Sequence, residues 1–264
     1  MTAADAPLPD WSTVQVTGVD RATFLQSFCT NDVKTLAAGE SREAFFTDLK
    51  GKIVAHAFVL AEAERSLLVL PGQPAEPLLT HLDRYIVRED VTLADASADS
   101  RWQAVLGSDA VLEGCVAPGA FGEGSAVTAG AGQGGGVTPD ELHAARVRAG
   151  FPLFGVDFGP DSLPQEVGRD CEAISFTKGC YLGQETVARI DALGHVNRRV
   201  TRFRVESGEP PQPGDELTVE DKPVGEVTSV AECKNAPAAG LATIRRGHWE
   251  AGTVLEHTSG EVIL

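Results

Sequence analysis

Along the first hundred residues, the spacing of hydrophobic positions switches between the period of a strand and that of a helix. Residues 43–48 and 53–60 are apolar runs around a polar turn at residues 49–52, a pattern typical of a β-hairpin. From Pro77, leucine and aromatic side chains recur at helical spacing and predict an amphipathic helix that leaves His81 on its solvated face. Strands and helices mixed in this way favour an α+β fold.

The other elements of this region give weaker signals. Asp20 is placed to cap a short helix running to about Phe28, and strands are expected at residues 67–70, 91–93 and 102–106. Residues 130–135 fit the Gly-x-Gly-x-x-Gly spacing of dinucleotide-binding loops. The strand before them is weak, and the acid at a suitable distance, Asp157, lies in a loop. We therefore expect a surface loop there.

The clearest helix start lies at Thr138. Thr138 can cap the helix, Pro139 suits its first turn, and Glu141 completes a capping box. Gly150 then supplies the residue that ends many helices. The sequence therefore predicts a helix from Pro139 to about Ala149.

After His195 the pattern changes to short alternating strands separated by turns. The expected strands are residues 200–205, 217–219, 224–230, 241–244 and 254–255, with a turn at residues 259–260. Such spacing favours a small β-barrel. We expect two domains, an α+β region at residues 1–195, with sub-boundaries near 50 and 90, and a barrel at residues 196–264.

Composition narrows the classes of function. The chain has 264 residues and a formal net charge of −16, which argues against direct binding of nucleic acid or anionic membrane. Its five widely spaced cysteines include no Cys-x-x-Cys, so we expect reduced thiols in the cytoplasm and neither a metal site nor a resident iron–sulfur cluster. Neither a signal peptide nor an apolar run of about 20 residues is visible, so no membrane partner is expected.

The densest chemistry lies at residues 176–189. Lys178 and Cys180 flank Gly179, and Gly183, Gln184 and Glu185 precede a run that can be helical. Positive charge and free amides at a helix start both favour the thiolate form of a cysteine. The residues alone leave two interpretations open, a reactive Cys180 or an ordinary buried cysteine in a turn.

Residues 178–185 read Lys-Gly-Cys-Tyr-Leu-Gly-Gln-Glu and resemble the signature of the YgfZ family. These are folate-binding proteins related to the T-protein of the glycine cleavage system, and they act in iron–sulfur cluster assembly or repair. The resemblance covers nearly the whole chain and is weakest between about residues 93 and 139. Its other segments are residues 18–21, 24–26, 30–33, 48–53, 146–152 and 163–166.

The resemblance implies T-protein-like folate-binding lobes around a central cleft, followed by the barrel. It implies tetrahydrofolate or a one-carbon derivative as cofactor, and iron–sulfur enzymes or assembly proteins, including tRNA-modifying ones, as partners. The reactive pair would be Cys180 and Lys178. The ligand-binding residues would be Asn31, Asp32, Arg148, Gly179, Tyr181, Gly183, Gln184, Glu185 and Arg189. Phe46, Phe58 and Tyr181 are candidates for an aromatic slot, and residues 198–204, with four arginines, for the folate tail.

Two departures from the transferase pattern bear on activity. The chain has Ala55-His56 where the aminomethyltransferase carries an assisting aspartate, and Arg148 where it carries a pterin-binding glutamate. An arginine cannot accept hydrogen bonds, and we expect His56 to be a satisfied core residue. The resemblance therefore argues against the aminomethyltransferase reaction. A related one-carbon transferase and an interaction protein with a vestigial pocket remain as alternatives.

Overall fold

A computed structural model describes residues 4–107, 114–130, 136–233 and 236–264. Most of the glycine motif at residues 130–135 lies outside the described residues. The chain forms a five-stranded sheet, a three-stranded sheet and a closed barrel. No helix in the described ranges is long and apolar enough to cross a membrane.

The five-stranded antiparallel sheet has the strand order β3-β4-β5-β2-β6. Its elements in chain order are β2 (Ser12–Thr17), helix α1 (Arg21–Gln26), β3 (Ser41–Thr47), β4 (Ile53–Ala61), β5 (Arg65–Leu70), helix α2 (Glu76–Asp83) and β6 (Thr92–Asp95). One face is covered by α1 and α2, because Phe24, Leu25, Leu78 and Leu82 share a hydrophobic cluster with the strands. The predicted hairpin is present as β3 and β4.

A second cluster covers the opposite face of this sheet. Strands β1 (Ala4–Pro7), β7 (Trp102–Leu106) and β8 (Ala126–Ala129) form the three-stranded sheet, in the order β1-β7-β8. Trp102 packs with Trp11, Phe58 and Phe151 in one cluster. The two sheets therefore share a core rich in aromatic residues.

Helix α3 (Pro139–Ala149) begins with the predicted capping box at Thr138 and ends at Gly150, which has φ +74°. Arg146 of this helix donates to the Asp157 carboxylate at 2.9 Å and to the Ser229 hydroxyl at 2.9 Å. Ser229 in turn donates to Asp157 at 2.6 Å. Because Ser229 belongs to the barrel, this buried network joins the barrel to α3.

The barrel closes with six strands in the order β10-β11-β12-β9-β14-β13. The strands are β9 (Arg198–Gly208), β10 (Glu216–Val219), β11 (Lys222–Cys233), β12 (Ala236–Arg245), β13 (Val254–His257) and β14 (Gly260–Ile263). All five expected strands are present, and the turn that connects β13 to β14 lies at residues 258–259, one residue before the expected position. Three shorter helices lie between α3 and the barrel, namely a 3-10 turn (Pro164–Glu166), α4 (Asp170–Ala173) and α5 (Gln184–Leu193).

Two expectations for individual side chains were wrong. His81 is buried, with 8% of its surface exposed, because α2 packs against the β3–β4 turn and Thr47 and Asp48 lie beside the ring. Asp20 precedes α1, but its side chain makes no capping bond. Its carboxylate accepts instead from the Asp90 amide at 2.8 Å, which ties the start of α1 to the loop before β6.

Candidate functional site

The loop that carries Cys180 packs closely against the β3–β4 turn, and one glycine in each segment allows this contact. Gly183 has φ +81°, and a Cβ built there would lie 2.4 Å from the Asp48 carbonyl oxygen. A Cβ on Gly51 would lie 2.8 Å from the Thr186 Cβ. Thr47 Oγ1 also donates to the Leu182 carbonyl at 2.6 Å. Gly183 of the signature and Gly51 of the turn are therefore both required by close approach of the two segments.

Lys178 fixes the same loop to the end of α1. Its Nζ donates to the carbonyl oxygens of Gln26, Cys29 and Asn31, at 2.8, 2.7 and 2.7 Å. An ammonium group has three donor hydrogens, so these three bonds use all of them. Burial lowers the pKa of Lys178 from its ordinary value. In this geometry Lys178 positions the loop.

Cys180 lies on the outer side of this fixed loop. It is exposed, and so is Gly179 beside it. A Cβ on Gly179 would meet no atom within 4 Å, which shows open space around that position. The thiol is therefore accessible to solvent and to a partner, and it is not an inert core cysteine. Cys171 on α4 is a second exposed thiol.

Asn31 and Asp32 lie under the loop as structural contacts. The Asn31 amide donates to the carbonyl oxygens of Glu43 and Glu172, at 2.9 and 2.7 Å. The Asp32 carboxylate accepts from Gln26 Nε2 at 3.0 Å. These bonds connect α1, β3 and α4, and Lys178 reaches the same segment.

The remaining signature residues are divided between the interior and the surface. Tyr181 is buried, and burial raises the pKa of its hydroxyl. Gln184 and Glu185 form the first turn of α5, where Glu185 is exposed, and Arg189 is exposed farther along the helix. Cys180 and Glu185 of the signature are thus exposed, as is Arg189 beyond it.

A buried charge cluster beneath this region was not identified from the sequence. The Glu43 carboxylate accepts from Arg169 Nε at 2.9 Å and lies 2.9 Å from His56 Nε2. The His56 ring lies 5.0 Å from the Phe45 ring and 5.8 Å from the Phe151 ring, between centroids. His56 is fully buried, as expected, but it is not fully satisfied, because its Nδ1 has no hydrogen-bond partner among the described residues. Burial opposes the charge of Glu43, but the bonds from Arg169 and His56 outweigh it and lower its pKa to about 2.

We expect this cluster to make the fold acid-sensitive. The pKa of Glu43 falls from 4.5 to about 2 on folding, so its stabilisation is complete above pH 4.5 and is lost as the pH falls towards 2. In Glu43→Gln, the change in unfolding free energy between pH 5 and pH 3 should be smaller than in the unmodified chain by roughly 2 kcal/mol. Denaturant titrations at both pH values measure this difference, and equal changes in the two proteins would contradict it.

A cavity of about 630 Å³ lies between the N-terminal segment and α3. Its aromatic lining residues are Trp11, Phe121 and Phe154, and its charged or polar ones are Asp10, His143 and Arg146. A second cavity of about 470 Å³ contains Arg148 and Arg202 and shares Phe121 with the first. The structure therefore places aromatic surface next to two arginines.

Neither cavity is lined by a residue of the signature. Arg148 thus lies apart from the loop of Cys180. Phe46 and Phe58, the other expected slot residues, are buried in the two hydrophobic clusters of the five-stranded sheet. Trp11 and Phe121 line the first cavity and belong to the same cluster as Phe58, and no local motif in the sequence distinguished these two from ordinary core aromatics.

Comparisons with known proteins agree with this architecture. Residues 197–262 match the family model described as CAF17, C-terminal beta-barrel domain. The chain is 28% identical to an uncharacterized protein of Haemophilus influenzae, over 81% of this chain and 78% of that protein. It is 27% identical to the tRNA-modifying protein YgfZ of Sodalis glossinidius, over 80% of this chain and 74% of that protein.

The fold is also similar to a known enzyme structure. The glycine cleavage system aminomethyltransferase T from Bartonella henselae superposes with a TM-score of 0.82, covering 99% of this chain and 84% of that one at 15% identity. The expected fold class, α+β lobes followed by a C-terminal barrel, is confirmed. At this identity the similarity establishes the fold alone.

Proposed function

Because the chain is a relative of the YgfZ proteins and has the fold of an aminomethyltransferase, we propose that it is a folate-binding accessory protein. It supports the assembly or repair of iron–sulfur enzymes, including enzymes that modify tRNA. The proposal rests on one observation. The aromatic cavity and the cavity that contains Arg148 and Arg202 lie side by side, with Phe121 lining both. The exposed thiol of Cys180 supplies the group that acts on a partner.

The residues of the two cavities fit the chemistry of a folate. A volume of about 630 Å³ lies in the range of small-molecule sites, and Trp11, Phe121 and Phe154 offer apolar surface to a flat pterin. The Asp10 carboxylate can accept hydrogen bonds from the donor edge of the pterin, a role that Arg148 cannot fill. When bound, tetrahydrofolate supplies a carrier for one-carbon units.

The second cavity fits the anionic tail. Arg148 and Arg202 line it, and Arg202 donates to the Arg148 carbonyl at 2.5 Å, which holds its side chain across the cavity. Arginine binds carboxylates with paired hydrogen bonds, so glutamate residues of the tail are suited to this position. The pterin would then lie in the aromatic cavity, with the tail passing Phe121.

The position of Cys180 favours action on a macromolecular partner. The thiol is exposed, and the signature contributes no lining residue to the two cavities. A folate held there would therefore not present its one-carbon group to Cys180 directly. Exchange with the iron–sulfur chemistry of a partner requires only an accessible thiol on a fixed loop, which fits the geometry described above.

The aminomethyltransferase reaction is disfavoured by the same geometry. His56, at the position of the assisting aspartate, is fully buried, and its Nε2 is bound to Glu43. It cannot reach an amine donor in a cavity without breaking that contact. We therefore assign no transferase chemistry to His56.

Direct binding measurements test the proposal. Calorimetric titration should show saturable binding of tetrahydrofolate, and Arg202→Gln should weaken a triglutamate form about tenfold, since a charge-assisted contact contributes about 1.5 kcal/mol or more. Arg204→Gln is the matched control, because Arg204 lies two residues farther along β9 and lines neither cavity. That variant should bind like the unmodified chain.

The other outcomes separate the alternatives. Absence of folate binding would reject the proposal in favour of an interaction protein with a vestigial pocket. Binding together with methylene transfer from an aminomethyl donor would instead identify a one-carbon transferase. Equal weakening by Arg202→Gln and Arg204→Gln would mean that the tail does not lie in the second cavity.

A further inference from the structure

His81 of α2 is a buried histidine that the proposed function does not use. Only 8% of its surface is exposed, since Leu78 and Leu82 of the same helix pack into the hydrophobic cluster of the five-stranded sheet. Its ring lies 5.5 Å from the Tyr85 ring, between centroids, and its Nε2 has no hydrogen-bond partner in the part of the chain that the structure describes. A buried polar atom without a partner is uncommon in folded proteins. His81 lines neither cavity assigned to folate, so its role is independent of the proposed function.

Two residues of the β3–β4 turn connect His81 to the loop of the signature. Thr47 and Asp48 lie beside the histidine ring. Thr47 Oγ1 also donates to the Leu182 carbonyl at 2.6 Å, and the Asp48 carbonyl oxygen would lie only 2.4 Å from a Cβ on Gly183. A movement of the turn away from α2 would therefore disturb the contacts that hold the signature loop.

The surroundings of His81 favour its neutral form. A protonated imidazole donates from both nitrogens, so the Nε2 proton would be buried without an acceptor. Burial lowers the pKa of His81 from its ordinary value, and the nearby Arg84 cation lowers it further. The Asp48 carboxylate acts in the opposite direction, but it already accepts from the amides of Lys50 and Lys52 at 2.8 Å.

Opening of the turn would remove the cost of protonating His81. Once water reaches the ring, its pKa returns towards the ordinary value of 6.5. The open state then binds the proton more tightly than the closed state does. The preference for the closed state is therefore complete above pH 6.5 and declines as the pH falls towards the lower pKa of the buried ring.

We propose that protonation of His81 releases the β3–β4 turn from α2 and, through Thr47, loosens the loop that carries Cys180. The exposed thiol is held in a fixed position at neutral pH, and its loop becomes mobile in weakly acidic conditions. The fold thus makes the presentation of this cysteine to a partner dependent on pH.

Two carboxylates with shifted pKa values cannot produce the same response. Glu43, whose pKa is lowered to about 2, begins to lose its stabilisation only below pH 4.5. Burial raises the pKa of Asp170 from 3.8 to about 6. Protonation of Asp170 therefore stabilises the folded chain as the pH falls through 6, which is the opposite sign. Loosening between pH 7.5 and pH 5.5 thus points to a histidine.

Native-state hydrogen exchange of the full chain measures this opening. The Asp48 amide donates to the Lys52 carbonyl within the turn, and the Leu182 amide donates to the Ser27 carbonyl, both at 2.9 Å. After correction for the intrinsic exchange rate, we expect the opening constants of both amides to rise severalfold from pH 7.5 to pH 5.5. The Val227 amide, bonded within the barrel, should show no such rise. No rise at Asp48 and Leu182, or an equal rise at Val227, would overturn the proposal.

Three variants assign the response to its residue. His81→Gln removes the titrating ring and should abolish the rise, whereas His195→Gln, at an exposed histidine just beyond α5, is the matched control and should retain it. Arg84→Gln keeps the ring, removes the exposed cation beside it and should reduce the rise, which decides the question if His81→Gln does not fold. An unchanged rise in His81→Gln or Arg84→Gln, or its loss in His195→Gln, would overturn the assignment.

Discussion

Replacing Gly183 by alanine is expected to lower the free energy of unfolding by about 4 kcal/mol or more, a large fraction of the stability of an ordinary domain. Two costs add. Gly183 has φ +81°, where an L side chain is strained by about 1 kcal/mol. The new Cβ would also lie 2.4 Å from the Asp48 carbonyl oxygen and 2.9 Å from the Gly51 Cα. Both are backbone atoms, so relief requires the signature loop and the β3–β4 turn to separate. Denaturant unfolding measures the loss.

Gly179→Ala is the matched control for this substitution. It adds the same methyl group four residues earlier in the same loop, where no heavy atom lies within 4 Å. We expect its unfolding free energy to change by less than about 0.5 kcal/mol. If the two variants were equally stable, the close contact between the backbones at Gly183 and Gly51 would not be what fixes the loop.

The extent to which the fold was predictable depended on how local each signal is. The β3–β4 hairpin and five of the barrel strands were predicted because the alternation of apolar and polar residues, and the turn residues, lie within a few neighbouring positions. The same holds for the capping box at Thr138. The closing strand β14 was missed although β10 and β13, which are equally short, were predicted, because its first residue, Gly260, was assigned to a turn. The division into domains at residues 195 and 196 stays a prediction.

His81 shows where local reasoning fails. The helical spacing of residues 78–86 placed it on the outward face, but α2 ends at Asp83 and the β3–β4 turn covers that face. A helical wheel describes one helix and carries no information about what packs on it. Burial of a polar side chain by a distant segment can therefore not be read from periodicity alone.

The candidate site was predictable in location and less so in the roles of its residues. The signature motif singled out residues 178–185, but the partners of Lys178 lie about 150 positions away, at Gln26, Cys29 and Asn31. The Arg169–Glu43 pair joins residues 126 positions apart. Such contacts form only when the chain folds, so the sequence indicated a lysine beside a cysteine and gave no sign that the lysine is a fixed support.

This distinction changes how the thiol should be tested. Lys178 is bound to the backbone of another segment, so its removal would disturb the loop and the thiol together. Cys180 is exposed on the outer side of the same loop, and no side-chain hydrogen bond or ion pair of its own is present among the described contacts. Substituting Cys180 therefore separates chemistry from folding more cleanly than substituting Lys178.

Cys180→Ala is expected to abolish the rescue of iron–sulfur enzyme activity under oxidative stress while changing the unfolding free energy by less than about 0.5 kcal/mol. The reason is that an exposed thiol contributes little to packing but is the group that the proposed function requires. Rescue is measured as the activity of an iron–sulfur enzyme in cells that lack the endogenous protein, complemented with each variant. Cys171→Ala, the other exposed thiol described on α4, is the matched control and should rescue fully. Full rescue by Cys180→Ala would remove the thiol from the mechanism, and failure of both variants would show that exposed sulfur in general, rather than the signature cysteine, is needed.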